Sequence, residues 1–581
     1  MKVSLNNNGN SKQIGSIEVK NFFKIIYIYI FTAVPIIFYL WIILRFTVNM
    51  PWWDDYDAVL NWINRFISHQ NNFNYLISML FEQHNEHRIL FDRIFILFNY
   101  YVFGSINFIF LNYIGYLGLF AIFGLMLWLS VKNGVSGIYL LPIPFLTFSL
   151  CQYELISFAM ASMQQYWQLF FCLIAIILIT KNEDIKTSYL VLSLLFSIIA
   201  SFTGAGGLIV FPTTLIYLII YKRGIKNIII WLSISILTFI FYFVILQYHQ
   251  TAIGIASHQF VVEHPLKYIA YIFCFIGNIA GDKITSFILG LLLFLSILFL
   301  GSKFYKKNTA LILISFFIIA TAAAAGLSRV SMGVVEATSS RYTIYSSILL
   351  ACLYILLIGR IKSILYKRNI FIISSLIAIS IFLCWVPKGI ASLENKEVLL
   401  KSSLVYPSEQ RAIKILENSF KLGTFMPIAQ IYKFLPSYYA FAIDLNQPTS
   451  YTIESITLNN TKPLYNLSQN PTPPTDINLT KNDKNDIIQI SGWAVDSVAK
   501  NADRGVIAVI DNKYFYPLGS GVQRPDVSKA FNNSNYEYSG FSGSIPLNEL
   551  SYGKHILTLR IINYDETGYY ESKPIELNIE K

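Results

Sequence analysis

Charge is what this chain of 581 residues has least of: Asp, Glu, Lys and Arg together make up 13%, about half the share in a soluble domain. That shortage excludes an ordinary soluble enzyme. Cysteine is scarcer still, with five residues, Cys151, Cys172, Cys274, Cys352 and Cys384, all inside apolar runs. The tail beyond residue 387 has none, which excludes a disulfide framework or a cysteine metal knuckle there. A nucleotide-binding loop is also missing, because the glycine-rich run TGAGG at 203–207 lacks the Lys-Ser/Thr ending and joins two apolar segments. Long apolar runs are missing beyond residue 386, so the chain divides into a membrane part and a tail.

What is abundant is apolar, at 55% of residues. Runs of the roughly 20 residues needed for a crossing recur from 22 to 386. The first, 22–48, is too long for a signal-peptide core and has no small-x-small cleavage site after it, so it is read as a retained anchor. The net charge of +11 does not point to nucleic acid, since residues 486–581 hold more acids than bases. The excess lies in clusters at 2–24, 181–186, 222–226, 303–307 and 360–368, which the positive-inside rule assigns to cytoplasmic ends. With the N-terminus inside, the apolar stretches at 89–103 and 265–280 are too short and too charged to cross and are read as interfacial helices. About eleven crossings then remain, with the tail outside.

The fold class expected is a polytopic α-helical membrane protein of about eleven helices with a C-terminal all-β, sandwich-like extracytoplasmic domain. Its parts are a cytoplasmic N-terminal tail at 1–21, a transmembrane catalytic domain at 22–387 with its first outer loop at 49–106, a connecting region at 388–485 and the β domain at 486–581. An amphipathic helix is expected at 408–420 and a Pro/Asn/Thr-rich linker at 446–485. The β domain is read from runs at 487–495, 505–518, 540–545, 555–564 and 569–579, separated by Gly, Asn and Asp turns.

Titratable groups gather on the outer face. PWWDDYD at 51–57 brings Asp54, Asp55 and Asp57, and EQHNEHR at 82–88 brings Glu82, His84, Glu86, His87 and Arg88. Outer loops near 152–154, 203–207, 248–264 and 327–342 add Glu154, His249, His258, Glu263, His264, Arg329, Glu336 and Arg341. Carboxylates beside arginines at a membrane surface suit transfer from a lipid phosphate: one carboxylate takes the proton of an incoming hydroxyl, and guanidinium forks hold the departing phosphate. Asp54 and Asp55 could instead cap an interfacial helix anchored by Trp52 and Trp53. Arg329 and Arg341 could be snorkelling helix ends, and Glu154 and Gln164 polar contacts between helices. His84 and His87, three apart, could hold a divalent cation, although HNEH is not the HExxH spacing. No cofactor is required by the pattern, and a divalent cation is the lesser reading.

An acidic pair just after the first membrane helix, an interfacial helix in the first outer loop, FGSIN at 103–107 before the next crossing, and the Arg-Tyr pair of SSRYTIYSS at 339–347 together resemble the GT-C superfamily. These are polytopic glycosyltransferases that use polyprenyl-phosphate-linked sugars, among them protein O-mannosyltransferases and the aminoarabinose transferases of lipid A. The resemblance covers roughly 20–387. It implies that Asp54 or Asp55 is the catalytic carboxylate, with Asp57 close by. Asp57, Glu82, His84, Glu86, His87, Arg88, Glu154, Gln164, Arg329, Arg341 and Tyr342 become substrate-binding candidates, and no metal is assigned. Many relatives have a His-Pro pair where this chain has EQHNEHR. GWAVD, RPDV and SGFSG in the tail look like a module at the end of bacterial membrane glycosyltransferases.

The resemblance implies an inverting transfer of sugar from a polyprenyl-phosphate carrier to a surface glycan or lipid, in a bacterial cytoplasmic membrane. The partners expected are the lipid-linked donor, the glycan or lipid acceptor and membrane lipid, but not nucleic acid. A glycan polymerase or ligase is the alternative enzyme. A transporter or flippase is the alternative class, and it would place polar groups at the midplane in broken helices rather than in outer loops.

Overall fold

The computed structural model describes residues 31–402 apart from 305–307 and 362, then 415, 418–419, 422–425, 443–444 and 449–580 apart from 460–461, 482–485, 513, 548–549 and 565–567. The expected N-terminal tail and most of the helix expected at 408–420 fall outside the described residues. Two compact units are present: Met1–Thr47 with Phe73–Phe95 and Leu111–Ile390, and Val48–Asn72 with Ile96–Phe110 and Ala391–Lys581.

The helices that matter below are α1 (Phe31–Phe46), α2 (Leu90–Phe103), α3 (Phe108–Lys132), α4 (Ala159–Ile179), α5 (Thr187–Ser201), α6 (Ala205–Ile220), α7 (Ile225–Ile245), α8 (Ala252–Glu263), α9 (Pro265–Ile276), α10 (Lys283–Phe304), α11 (Thr309–Arg329), α12 (Thr343–Ile358) and α13 (Ile364–Ser402). Seven of them, α3, α4, α7 and α10 to α13, are long and apolar enough to cross a membrane. They mark a membrane-embedded protein.

Among the described residues these seven do not confirm the expected eleven. Other apolar segments are shorter helices: α5, α6 and α9 run 10–17 residues, as does a broken helix at Gly137–Thr147, while α1 is described only from Phe31 on. The segment at 89–103 is the 14-residue helix α2, about 21 Å long at 1.5 Å per residue. The stretch at 248–264, read as a loop, carries helix α8, which Thr251 caps by accepting from Gly254 N at 3.1 Å. Pro265 opens α9 and Gly277 closes it. Gly277 and Gly290 let α9 and α10 touch backbone to backbone, since a Cβ on either would overlap a carbonyl of the other helix. α13 runs on through Pro387, 15 residues beyond the expected end of the membrane part.

The tail is β-rich. Numbering from a two-residue hairpin in the membrane unit (β1 Gln83–His84, β2 His87–Arg88), the strands are β3 (Ile443–Asp444), β4 (Ser450–Leu458), β5 (Lys462–Asn466), β6 (Asp476–Thr480), β7 (Ile487–Asp496), β8 (Asn501–Ala502), β9 (Val506–Ile510), β10 (Tyr514–Val522), β11 (Gly540–Pro546), β12 (Gly553–Ile562), β13 (Gly568–Glu571) and β14 (Ile575–Glu580). The tail strands run in the order β3-β13-β12-β9-β10-β11-β7-β4-β5, with β14 between β12 and β6. β10 pairs with β9 from Tyr514 to Leu518 and with β11 from Gly519 to Val522. Pairing is antiparallel except for β13 with β3 and β14 with β6. Ile456, Ile488, Ile490, Ala508, Leu518, Ile545 and Leu577 build one apolar core.

The stretch at 446–485 is therefore no linker but holds β4, β5 and β6, so the β domain starts upstream of residue 486. A bulge between Ile453 and Ser455 breaks the period of two in β4, which removes the alternation that marks a strand.

Inside this domain Asp503 is buried, its Oδ1 accepting from Gly505 N at 2.9 Å. Burial pushes its carboxyl up to about 7. At pH 5–6 the folded form then keeps a proton that the unfolded form has lost, so stability falls as pH rises from about 4 to about 7. Asp503→Asn keeps the acceptor and removes the charge. At pH 8 it is expected to unfold harder than wild type by about 4 kcal/mol, and equal denaturation midpoints at pH 8 would contradict the buried-acid reading.

Candidate functional site

The site in the membrane unit starts from the hairpin. His84 pairs with His87 across a two-residue turn, in which Asn85 takes a left-handed φ of 48°, a conformation Asn tolerates. Glu86 thus sits at the tip. The base is fixed by backbone carbonyls: Arg88 donates through Nε to Tyr242 O at 3.2 Å, through Nη1 to Phe81 O at 2.6 Å and through Nη2 to Leu246 O at 2.7 Å, while Arg93 reaches Met79 O and Leu80 O. Arg88 is only 2% exposed, and its three nitrogens hold the hairpin base to backbone carbonyls. Gln83 clamps the turn to residue 249, donating to His249 O at 2.6 Å and accepting from His249 N at 2.9 Å.

At the tip, the Glu86 carboxylate accepts from Thr251 Oγ1 at 2.5 Å and pairs with Arg329 at 3.5 Å. Thr251 therefore caps α8 and holds Glu86 with the same oxygen. A second group centres on Arg341, which pairs with Glu336 and, at 3.6 Å, with Glu154. Glu154 also accepts from Ser339 Oγ at 3.1 Å and Arg341 N at 3.2 Å. Arg329 and Arg341 lie near enough to repel each other, and Tyr342 neighbours both. The Arg341 guanidinium stands 5.2 Å over the Tyr342 ring, which packs on Phe275 at 5.0 Å.

Two buried donors in this cluster are unmet among the described residues: Arg341 Nε and the hydroxyl of Tyr271. Tyr271, on α9, is fully buried and lies within electrostatic reach of Arg329, Glu336, Arg341 and Tyr342. An unpaired buried donor costs about 1–3 kcal/mol, so both groups favour an incoming acceptor. Gln164 is 4% exposed with Nε2 likewise unmet, and it lies against Gly204 of the TGAGG turn. A side chain at Gly204 or Gly206 would collide with Gln168 or crowd Gln164, which explains the glycines without a phosphate.

That turn also sets the state of His87, whose Nδ1 accepts from Ala205 N at 3.3 Å. Burial, with Arg329, His84 and Arg341 adding to it, pushes the imidazole down to about 3. The ring is neutral in the physiological range, with its proton on Nε2. Because the folded value lies below the unfolded one, the unfolded chain takes up the proton first as pH falls below about 6.5, and stability drops toward pH 3. His87→Gln is expected to flatten the fall in melting temperature between pH 6.5 and 4, and an unchanged slope would place the titration elsewhere.

The first-loop acids belong to the other unit. Asp55 is fully buried, and its Oδ2 accepts from Trp52 N at 3.0 Å. Asp57 accepts from Asn61 Nδ2 at 3.3 Å. Asp54 is partly exposed, and its carboxylate has no partner among the described residues. It follows Trp53, which is held at φ 44°, a strained conformation for a bulky residue that is typical of functional turns. A π-helical turn, Tyr56–Asn61, comes next.

Of the expected residues, the structure thus gathers Glu86, His87, Glu154, Arg329, Arg341 and Tyr342. Glu82 lends a carbonyl to Arg93, and His84 lies 3.3 Å from Asn85 Nδ2. No three His, Cys, Asp or Glu side chains among the described residues gather as a metal site. Sequence reasoning missed Tyr271, Thr251 and the role of Glu336. Only Glu336 carried a signal, as an acid between two arginines in one loop. Comparison with protein families, with curated proteins and with solved structures gives no match to this chain.

Proposed function

We propose that this chain is an inverting, GT-C-like glycosyltransferase that moves a sugar from a polyprenyl-phosphate carrier to a surface glycan or lipid on the outer side of a bacterial cytoplasmic membrane. The observation that carries this reading is the arginine cluster: two guanidiniums beside an unmet Arg341 N–H and an unmet Tyr271 O–H, at the end of apolar helices. Carboxylates balance the arginines, and the spare donors of the cluster suit phosphate oxygens. In the reaction, a carboxylate, in the role that the resemblance gives to Asp54 or Asp55, takes the proton of the acceptor hydroxyl. That oxygen bonds to the anomeric carbon from the face opposite the phosphate, and the bond to the phosphate oxygen breaks with its electron pair staying on the leaving group. Arg329, Arg341 and Tyr271 stabilise the charge that develops there.

Binding of the product tests the phosphate half of this reading. Purified protein is expected to bind polyprenyl phosphate, and Tyr271→Phe, which removes one hydroxyl and keeps the packing, is expected to weaken that affinity about tenfold. Equal affinities for wild type and Tyr271→Phe would remove Tyr271 from the site, and no binding by wild type would remove the lipid-phosphate reading.

A further inference from the structure

The other end of α11 carries a second polar feature. α11 spans 21 residues, about 30 Å, so its first turn lies a membrane thickness away from Arg329. There a cavity of about 210 Å³ opens between four helix ends, room for a phosphate group and a few waters at about 30 Å³ each. Lys132 ends α3, Lys181 follows α4 and Arg223 follows α6, and all three line it.

None of these cations forms an ion pair with a carboxylate among the described residues. Glu183 also lines the cavity, but it offers Arg223 its backbone carbonyl, at 2.9 Å. Arg223 Nε is held by Tyr217 OH at 2.9 Å. Lys132 Nζ stands 4.9 Å over the Trp128 ring and Lys181 Nζ 4.3 Å over the Tyr189 ring, and the two ammoniums are close enough to repel. Snorkelling lysines would spread apart into water. Here ring contacts hold them on one opening.

The wall behind them adds to the same field. Ala310 and Leu311, in the first turn of α11, line the cavity, and first-turn N–H groups have no intrahelical acceptor. Asn308 does not cap them. Its Oδ1 accepts from Arg360 Nε at 2.7 Å and its Nδ2 donates to Asn133 Oδ1 at 2.6 Å. Ala310 and Leu311 thus bring the positive end of a 21-residue helix to a cavity lined by three cations, an arrangement that favours an anion.

We propose that this cavity binds a phosphate group, carried by an anionic lipid headgroup or free in solution, as a site separate from the arginine–carboxylate cluster. The test uses full-length protein, wild type against Lys132→Gln/Lys181→Gln, with Lys181→Gln alone as the milder change. Lys222→Gln, exposed and outside the cavity, is the control. Melting temperature and tryptophan fluorescence are followed while inorganic phosphate is added in neutral detergent, and again in bilayer discs of phosphatidylcholine with and without phosphatidylglycerol. Saturable stabilisation of wild type and Lys222→Gln is expected, shifted at least about tenfold in concentration by the double change. A response to phosphate identifies the free anion, and a response to phosphatidylglycerol alone identifies the lipid. No stabilisation by either, or an equal response in the double variant, would overturn the site.

Discussion

Replacing Arg341 by alanine is expected to lower stability by about 2–4 kcal/mol and to abolish use of the lipid donor. The residue neutralises Glu154 and Glu336, whose side chains are only 16% and 21% exposed, and leaving buried carboxylates without their cation costs several kcal/mol. The two effects separate in a double change. Arg341→Ala/Glu336→Gln removes one of the stranded charges and is expected to recover much of the melting temperature while donor use stays lost. Arg341→Lys keeps a point charge without the fork, so its donor affinity should fall between wild type and alanine. If donor kinetics recovered along with stability in the double variant, Arg341 would be structural only.

Asp54→Asn is expected to cut turnover by about 10²–10⁴-fold, the usual contribution of a general base, with expression and melting temperature near wild type. The structure separates it from Asp55: the Asp54 carboxylate is partly exposed and has no partner among the described residues, whereas Asp55 is fully buried and fixes Trp52 N. Asp55→Ala should therefore lose stability, by about 1–3 kcal/mol for the stranded N–H and its lost bond. Full turnover in Asp54→Asn would end its assignment as the base.

The membrane character of this chain was legible because a bilayer demands a length of apolar sequence that little else produces. The number of crossings was less so. α5, α6 and α9 are apolar enough to count but shorter than a crossing, and what a short apolar helix does depends on its neighbours. The β strands after residue 486 could be read from alternation, while β4 could not, because its bulge shifts the pattern at Ile453–Ser455.

At the site, Glu86, Glu154, Arg329 and Arg341 stood out as charges where an apolar chain has few. Arg88 looked the same in sequence, and only the structure shows that three carbonyls, from residues 81, 242 and 246, take up its nitrogens. Such partners are set by packing. Tyr271 is one of 38 tyrosines, and only its burial beside two arginines, with no acceptor among the described residues, distinguishes it. The left-handed Trp53 was equally hidden, because backbone strain has no signature in residue type.

The most direct measurement of the central claim is turnover of a lipid-linked sugar. Purified protein is mixed with membrane acceptor and with polyprenyl-phosphate sugars extracted from the native host, labelled in the sugar. The account predicts release of polyprenyl phosphate in step with label appearing on the acceptor, with the anomeric configuration inverted, and loss of both in Asp54→Asn and Arg341→Ala. Label transfer at equal rates by wild type and both variants, or no release from any fraction of the extracted donors, would contradict it.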